Sequence, residues 1–315
     1  MRYRLLLLLA VVVACVSLAS TGRHLTFRYD TPPAHAHLRA SAASYLGVFE
    51  RGVPPDFEPV ADFANAVSKQ PNLVGYYSGW VQPFPSSFAQ KLYRHHMIMY
   101  IQIDPAYAHL SDIAAGIDDQ YLEAYADSVR SFGHAVVIGF GHEMNAPWYS
   151  WGYHKTSSAT FVAAWRHVVT LFRQQGAENV TWLWTVNRDT PKTGPVASWW
   201  PGAGYVTWVG IDGYYLHTSD NFKSVFGRTI RQVQKFTKKP VLLSEVAVAP
   251  QANPSAEIPD LFQGMAKYKA LGLVWFDMNQ DNGVLSEDWH IADNTPAEDQ
   301  FRLSALDLHL TIPRN

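Results

Sequence analysis

Eight short apolar runs alternate with amphipathic stretches between residues 45 and 276. Near-continuous apolar runs are typical of strands that are buried on both faces, as the strands of parallel sheets are. In the stretches between them, apolar residues recur every three or four positions, which indicates helices. The predicted strands are 45–49, 73–77, 97–103, 135–140, 180–186, 205–211, 241–246 and 272–276, and the predicted helices include 119–132, 160–175, 221–237 and 260–271.

The alternation of eight strands with helices over about 250 residues predicts a (β/α)₈ TIM barrel of the α/β class. An open doubly wound sheet is the alternative, and it often carries a glycine-rich phosphate loop after its first strand. Here Glu50-Arg51-Gly52 follows the first predicted strand, so the barrel is favoured. No second linker and no short-period repeat follows Tyr45, so residues 45–315 are predicted to form a single domain.

The first 22 residues have the layout of an export signal. Arg2 and Arg4 precede an apolar run over residues 5–16, and small residues follow it. The run is shorter than the roughly 20 residues that a membrane-spanning helix needs. Cys15, the only cysteine, ends a Val-Val-Ala-Cys sequence that resembles a bacterial lipobox. We therefore expect 1–22 to be a signal peptide or a lipoprotein signal. The protein would then be secreted, or anchored outside the cytoplasmic membrane through Cys15.

Residues 23–44 combine proline, alanine and histidine without periodicity, which predicts a linker. The formal net charge of −2 provides no basic surface, so we expect no nucleic-acid partner. The 11 tryptophans and 16 tyrosines are numerous, and their amphipathic rings are the residues of carbohydrate-binding grooves. We expect a monomer.

Two glutamates stand where a barrel places its active site, at the C-terminal ends of strands. Glu143 follows the strand 135–140, and aromatic residues come directly after it. Glu245 interrupts the apolar run 241–247, where a charge is costly to bury unless it is paired or functional. An ion pair with an arginine is the structural alternative for Glu245. Glycoside hydrolysis requires two carboxyl groups that flank one bond, and strands 4 and 7 can place these two across the barrel mouth.

Other acidic residues at strand ends have structural interpretations. Asp212 precedes Gly213 and is predicted to cap a turn, and Asp104 precedes Pro105 in a second predicted turn. Glu50 and Asp277 can hydrogen-bond sugar hydroxyls, but solvated loop carboxylates are an equally good interpretation.

Metal and serine-nucleophile chemistries are disfavoured. The His142-Glu143 pair suggests a zinc protease, but that motif requires a second histidine at position 146, which is alanine. No Gly-x-Ser-x-Gly nucleophile elbow occurs. We therefore expect neither a metal nor a cofactor.

The motifs together resemble glycoside hydrolase family 26, the group that contains endo-β-mannanases, within the clan of retaining (β/α)₈ glycosidases. The resemblance runs from about Tyr45 to Leu306. It rests on His-Glu-Met-Asn at 142–145 with its aromatic tail, on Gly-Ile-Asp-Gly-Tyr at 210–214, and on the segment 239–245 that ends at a glutamate. The resemblance implies a double-displacement glycosidase with Glu143 as acid/base and Glu245 as nucleophile. Its substrate would be a polysaccharide or oligosaccharide.

The resemblance also implies a set of substrate-binding residues. His142 and Asn145 would line the site, Tyr214 would hydrogen-bond the nucleophile, and Trp275 would form a platform under the sugar. Of Trp148 and Trp151, one would pack the loop and the other would face substrate, with the choice left open.

Two departures from the family pattern concern the sugar subsites. Gly139 stands where relatives often have arginine, and Asp104 stands where strand 3 of relatives often ends in Trp-Glu-Pro. The resemblance implies β-1,4-mannan as substrate, with β-1,3-xylan and mixed-linkage β-glucan as alternatives. A catalytically inactive carbohydrate-binding relative is the alternative outside enzymology.

Overall fold

The structure, a computed structural model, describes residues 38–280, 287–292 and 294–311. The predicted signal at 1–22, including Cys15, and the first part of the predicted linker lie outside the described residues. The end of the linker belongs to the barrel, because the backbone N–H groups of Ala43 and Ser44 donate to the carbonyls of Ala270 and Leu271 at 2.9 and 2.8 Å. No helix among the described residues is long and apolar enough to cross a membrane.

Eight parallel strands form a closed barrel in sequence order, which confirms the predicted fold. The last strand pairs with the first, from Gly272 opposite Tyr45 to Asp277 opposite Glu50, so the open doubly wound sheet is excluded. The strands are β1 (Tyr45–Glu50), β2 (Leu73–Gly79), β3 (Ile98–Asp104), β4 (Val136–Phe140), β5 (Val180–Asn187), β6 (Trp208–Tyr215), β7 (Val241–Val248) and β8 (Gly272–Asp277).

Helices separate the strands and cover the barrel from outside. They are α1 (Glu58–Val67), α2 (Ser86–Arg94), α3 (Leu110–Ala114), α4 (Asp119–Phe132), α5 (Ser158–Gln174), α6 (Arg228–Val233), α7 (Pro254–Lys267) and α8 (Thr295–Ala305). Short 3₁₀ turns occupy Val196–Trp199 and Ala203–Tyr205, and a two-stranded hairpin of β9 (Asn279–Gln280) and β10 (Glu287–Asp288) follows β8.

Two helix predictions needed correction. The predicted helix 221–237 is instead a π-helical turn, Lys223–Gly227, followed by α6. The turn approaches β6 closely, since a Cβ at Gly213 would lie 2.8 Å from the Phe226 ring. The helix predicted at 260–271 begins and ends earlier, since α7 runs from Pro254 to Lys267 and contains Pro259.

The prediction for strand 6 was wrong at both ends. A 3₁₀ turn occupies Ala203–Tyr205, and the strand extends from Trp208 to Tyr215. Because side chains alternate along a strand, Gly210, Asp212 and Tyr214 share one face, and this face is directed into the barrel. The shift therefore moves Asp212 from a predicted loop into the barrel interior.

Below the strand ends the barrel is filled by aromatic and polar side chains. The rings of Phe49 and Tyr77 stack at 4.8 Å with an interplanar angle of 15°, and Phe49 also contacts Tyr100 at 5.3 Å. Gln102 donates from Nε2 to Tyr100 Oη at 2.5 Å and to Thr185 Oγ1 at 3.0 Å. Bulky aliphatic residues dominate most barrels of this type. Hydroxyl and amide groups here give the interior hydrogen-bonding capacity.

Closure of the barrel at β1 and β8 leaves no room for a side chain at Gly272. A Cβ there would overlap the backbone carbonyl of Tyr45, which cannot move without breaking the strand pairing. We expect Gly272→Ala to lower the free energy of unfolding by about 3 kcal/mol, as overpacked core substitutions do. Urea denaturation followed by circular dichroism measures the change.

Gly204→Ala is the matched control, since no atom lies within 4 Å of a Cβ built at this exposed glycine. We expect this substitution to change the free energy of unfolding by no more than about 0.5 kcal/mol. Equal effects of the two substitutions would contradict the packing argument at the β1–β8 seam.

Candidate active site

Glu143 is delivered to the barrel mouth by a left-handed turn after β4. Gly141 has φ +56° and Glu143 has φ +53°, and the Glu143 N–H donates to the Thr185 carbonyl at 3.0 Å. A non-glycine residue in this conformation carries backbone strain, which clusters at functional sites. The turn directs the carboxyl group inward, where the residue is 5% exposed.

Both carboxyl oxygens of Glu143 accept hydrogen bonds. The Trp148 indole N–H donates to Oε2 at 2.6 Å, and the Asn187 side-chain amide, at the end of β5, donates to Oε1. These two donors fix the carboxyl plane and stabilise its ionised form.

A bulge in β7 turns Glu245 into the barrel. Leu242 lies opposite Gly210 and Glu245 lies opposite Asp212, so β7 has one more residue than β6 over this interval. Bulges re-aim side chains and occur next to active sites. The extra residue allows the consecutive Ser244 and Glu245 both to reach the interior, which strict alternation would forbid.

Two tyrosine hydroxyls hold the Glu245 carboxylate. Tyr214 Oη donates to Oε2 at 2.5 Å, the contact that the family resemblance implied, and Tyr77 Oη donates to Oε1. Sequence reasoning missed Tyr77, although this hydroxyl-bearing aromatic residue ended the predicted second strand. A check of every strand end for hydrogen-bond donors, rather than for acids alone, would have found it.

Asp212 is a third buried carboxyl group at this site, so its prediction as a turn cap was wrong. It is fully buried in β6 and accepts a hydrogen bond from Ser244 Oγ at 2.5 Å. One oxygen from each of Glu143, Asp212 and Glu245 lies within 4.8 Å of the other two.

Burial raises the pKa values of all three carboxyl groups, and the charge of Glu245 raises those of Glu143 and Asp212 further. Burial, then the charge of Glu245, raises the pKa of Glu143 to about 7, against the opposing effect of His142 and the two donors. Burial followed by the charges of Glu245 and Glu143 raises the pKa of Asp212 well above its usual range. Burial also raises the pKa of Glu245, opposed by His142, Tyr214 and Tyr77. Glu245 is the best supported of the three as an anion.

His142 lies beside this anion as a buried cation. Its Nδ1 is 2.9 Å from Asp104 Oδ1, and its Nε2 is 3.1 Å from Tyr149 Oη. Burial lowers the pKa of His142, but Asp104 together with Glu143 and Glu245 outweighs burial and raises it to about 9. Asp104 is the last residue of β3 and partners this imidazole, so its prediction as a turn residue was incomplete.

Asn145 does not contact the site surface, so its prediction as a sugar-binding residue was wrong. It is 0% exposed, its Nδ2 donates to the Asn187 carbonyl at 2.9 Å, and its Oδ1 accepts from the Asn187 N–H at 2.8 Å. Asn145 therefore fixes the residue that hydrogen-bonds Glu143.

The two tryptophans after the motif have different surroundings. Trp151 is 3% exposed, donates to the His142 carbonyl at 2.8 Å and stacks on Tyr149 at 4.5 Å, so it packs the loop. Trp148 is half-buried and donates to Glu143 directly, so it is the one of the two that contacts the carboxyl group.

Trp275 faces away from the site, so its prediction as a sugar platform was wrong. It is 1% exposed and its ring contacts Phe301 of α8 at 5.2 Å. Because neighbouring side chains in β8 alternate, Phe276 takes the inner position and lies 5.8 Å from Tyr214.

Glu50 and Asp277 are not solvated loop carboxylates. They lie opposite each other at the ends of β1 and β8, and Asp277 Oδ1 accepts from the Ile291 N–H at 2.6 Å. Burial followed by the neighbouring Asp277 raises the pKa of Glu50 to about 10. The two groups form an acid pair beside the barrel seam.

Gly139, the departure from the family pattern in β4, is explained by its neighbour. A Cβ at Gly139 would overlap Oε1 of Gln102, the residue opposite it in β3. The glutamine side chain fills this part of the interior and leaves no space for an arginine.

The spacing of the three carboxyl groups is compatible with a cation, since oxygen ligands suit hard metal ions. However, each oxygen of Glu143 and Glu245 already accepts an N–H or O–H donor. This donor set suits anions and protonated acids, which favours acid–base chemistry over metal binding.

Comparisons with known proteins agree with this architecture. Endoglucanase H of Acetivibrio thermocellus is 27% identical over 268 residues, which is 80% of this chain and 29% of that protein. A β-1,3-xylanase of an Alcaligenes species is 23% identical over 206 residues, 61% of this chain and 42% of that protein. The structure of a Bacillus subtilis mannanase matches with a TM-score of 0.63 at 18% identity, covering 87% of this chain and 88% of that one.

The chain thus spans less than half the length of either of these two curated relatives. The family is shown by a separate match, since the sequence model of Glycosyl hydrolase family 26 matches residues 99–304, which is more than half of the chain. This range contains Glu143, Glu245 and their hydrogen-bond partners apart from Tyr77. The chain belongs to glycosyl hydrolase family 26.

Proposed function

We propose that the protein is a retaining endo-β-glycosidase in which Glu245 is the nucleophile and Glu143 is the acid/base. The observation that carries this proposal is the separation of their carboxyl groups, whose oxygens approach within 4.8 Å. Retaining enzymes hold the two groups about 5–5.5 Å apart, whereas inverting enzymes need about 6.5–9.5 Å to admit a water. The space between Glu143 and Glu245 favours direct attack by a carboxylate.

In the first step Glu245 attacks the anomeric carbon, and the bond to the leaving oxygen breaks as Glu143 donates its proton to that oxygen. Glu245 suits attack because the His142 cation and two tyrosine hydroxyls favour its ionised form. Glu143 suits proton donation because its pKa of about 7 keeps a large protonated fraction near neutral pH.

The second step reverses the roles of Glu143. Once Glu245 is bound in a neutral glycosyl ester, its charge no longer raises the pKa of Glu143. Glu143 then exists as a carboxylate and takes a proton from the water that attacks the ester. The bond between the sugar and Glu245 breaks, the product keeps its β configuration, and both carboxyl groups return to their initial states.

We propose β-1,4-mannan as substrate, as the resemblance of the motifs implies. The names of the relatives give two other classes, β-1,3-xylan and a β-glucan. Incubation with these three polymers and mixed-linkage β-glucan, followed by linkage analysis of the products, tests the choice. Release from mannan alone supports it, and preferential release from any other polymer contradicts it. Export through the signal predicted at 1–22 agrees with a polymeric substrate.

Removal of either carboxyl group distinguishes the two roles. We expect Glu245→Ala to lower kcat by more than about 10³-fold, because no group remains to form the intermediate. In Glu143→Ala, azide can attack the glycosyl ester without a general base. We therefore expect azide to restore turnover of an activated aryl β-glycoside, with a β-glycosyl azide as the product identified by NMR.

Glu178→Ala, at an exposed loop carboxylate, is the control and should retain wild-type turnover. An α-glycosyl azide would indicate inversion, and full activity of Glu245→Ala would remove the proposed nucleophile. Binding of oligosaccharides without any release of reducing ends would instead support a carbohydrate-binding protein.

The Trp148 hydrogen bond sets the alkaline limit of activity. The indole N–H stabilises the carboxylate of Glu143 and so lowers its pKa. Trp148→Phe removes this donor, the pKa of Glu143 rises, and the protonated acid persists to higher pH. We expect the alkaline limb of the kcat/KM profile, near pH 7 in the wild type, to move upward. A limb that stays in place or moves downward would contradict this assignment, whatever happens to the maximal rate.

The Tyr77 hydrogen bond sets the acidic limit of activity through Glu245, by the same reasoning that applies to Trp148 and Glu143. Its hydroxyl donates to Glu245 and lowers the pKa of the nucleophile, which must be ionised to attack. Tyr77→Phe removes the donor, so the pKa of Glu245 rises and activity is lost at a higher pH as the solution is acidified. We expect the acidic limb of kcat/KM to shift upward.

Tyr76→Phe is the matched control for Tyr77. The Tyr76 hydroxyl comes from the preceding residue of β2, is buried, and has no hydrogen-bond partner among the described residues. Its removal should leave the acidic limb in place. Identical profiles for Tyr77→Phe and the wild type would exclude a role for Tyr77 at the nucleophile.

A further inference from the structure

A groove with a volume of about 850 Å³ opens between the loop that follows β3 and the loop that follows β4. This volume lies within the range of about 300–1,000 Å³ that ligand sites occupy. Its walls include Asp104 and Tyr107 on one side and Trp148, Tyr149 and Lys155 on the other. Nothing in the two-carboxylate mechanism uses Tyr107 or Lys155.

The groove is continuous with the acid side of the active site. Trp148 donates to Glu143, and Tyr149 contacts His142 at 3.1 Å, so two residues of the groove wall touch catalytic groups. Glu245 belongs to β7, while the groove lies beside β3 and β4. In a displacement by Glu245, the leaving oxygen must lie next to Glu143, which protonates it. Sugar units attached to that oxygen begin beside Glu143, and the groove is a surface next to Glu143 that can receive them.

Tyr107 has the features of a contact residue rather than a packing residue. Its side chain is fully exposed, and its backbone has φ +67°, a strained conformation for a tyrosine. The neighbouring residues Ala106 and Ala108 have short side chains, so they do not cover the Tyr107 ring. An exposed aromatic face is suited to the apolar C–H face of a sugar ring.

The charges of the groove point to an uncharged ligand. Lys155 lies on one wall and Asp104 on the other, and the Asp104 carboxylate already contacts the His142 cation. Opposite charges across a groove give no net field for an acidic or a basic sugar. The remaining polar lining consists of hydroxyl and imidazole groups, including Ser111, Thr156 and His109, which can hydrogen-bond sugar hydroxyls.

We propose that this groove binds the leaving-group side of an uncharged β-linked glycan, with the Tyr107 ring as a platform for a sugar unit beyond the cleaved bond. The inference rests on the proposed function for its direction, since Glu143 as acid defines which side is the leaving group. It adds a binding surface on that side, which an enzyme cleaving within a chain requires.

Hydrolysis measured on two substrates isolates the groove. A β-linked hexasaccharide extends into it, whereas an aryl glycoside of the corresponding disaccharide has only a small leaving group next to Glu143. We expect Tyr107→Ala to lower the ratio of the two kcat/KM values, hexasaccharide to aryl glycoside, by roughly threefold to tenfold. Tyr107→Trp keeps an aromatic face and should retain the ratio. Leu303→Ala, at a residue 60% exposed on α8, is the control for loss of exposed apolar surface.

Binding is measured separately from catalysis. Isothermal titration with β-1,4-linked mannohexaose and cellohexaose uses the Glu245→Ala variant, so that the ligand is not cleaved. We expect Tyr107→Ala in this background to raise Kd by roughly threefold to tenfold for the hexasaccharide that binds. Because Tyr107 is exposed, the double variant should unfold at the same thermal midpoint as Glu245→Ala alone. A lower midpoint would reveal misfolding.

The outcomes separate the two proposals. A Kd independent of Tyr107, or no saturable binding of either hexasaccharide, overturns the groove assignment whatever the activity. Equal losses on the hexasaccharide and the aryl glycoside also overturn it. If the wild type hydrolyses no glycan while Tyr107 still contributes to hexasaccharide binding, the groove remains a glycan-binding surface, and the proposed enzymatic function fails together with the leaving-group direction.

Discussion

Repulsion among Glu143, Asp212 and Glu245 is the constraint to which the rest of the barrel mouth is adapted. Their oxygens lie within 4.8 Å of one another in a region shielded from water, where more than one negative charge is costly. The His142 cation and the hydroxyls of Tyr214 and Tyr77 favour the charge on Glu245. That charge in turn raises the pKa values of Glu143 and Asp212 and favours their protonated forms. The same repulsion that makes the arrangement costly favours one protonated and one ionised carboxyl group at the same pH, which is the pair that the proposed mechanism requires.

The cost of this cluster is offset by groups on several different strands. The His142 cation comes from the β4 loop and is itself held by Asp104 at the end of β3. Tyr77 and Tyr214 come from β2 and β6. A closed barrel brings such distant segments together with little freedom to move, so the donors are oriented before substrate arrives. Loss of one donor should therefore alter a pKa without disordering the site.

The alternation of apolar runs was enough to predict the barrel and to place Glu143 and Glu245 at its mouth. Asp212 was misplaced because the bounds of β6 depend on a 3₁₀ turn that periodicity does not reveal. Trp275 was misassigned because its inward or outward direction depends on barrel register rather than on distance from the strand end. Asn145 looked like a sugar ligand since its hydrogen bonds to Asn187, 42 residues away, are formed only in the fold. Local sequence patterns predict helices and strands, whereas the direction in which a side chain faces depends on how the strands pair in the fold.

The carboxyl cluster and the proposed sugar-binding groove lie on different parts of this molecule. The carboxyl groups and their donors lie on strands or directly after them, while Tyr107 and Lys155 lie on the loops beyond β3 and β4. Loops tolerate change in sequence and length much better than barrel strands do. Substitutions in the groove can therefore alter which glycan is bound without disturbing the proton balance of the three acids. Such a separation would allow one arrangement of acids to serve different glycans, and the proteins similar to this chain carry the names of an endoglucanase, a β-1,3-xylanase and a mannanase.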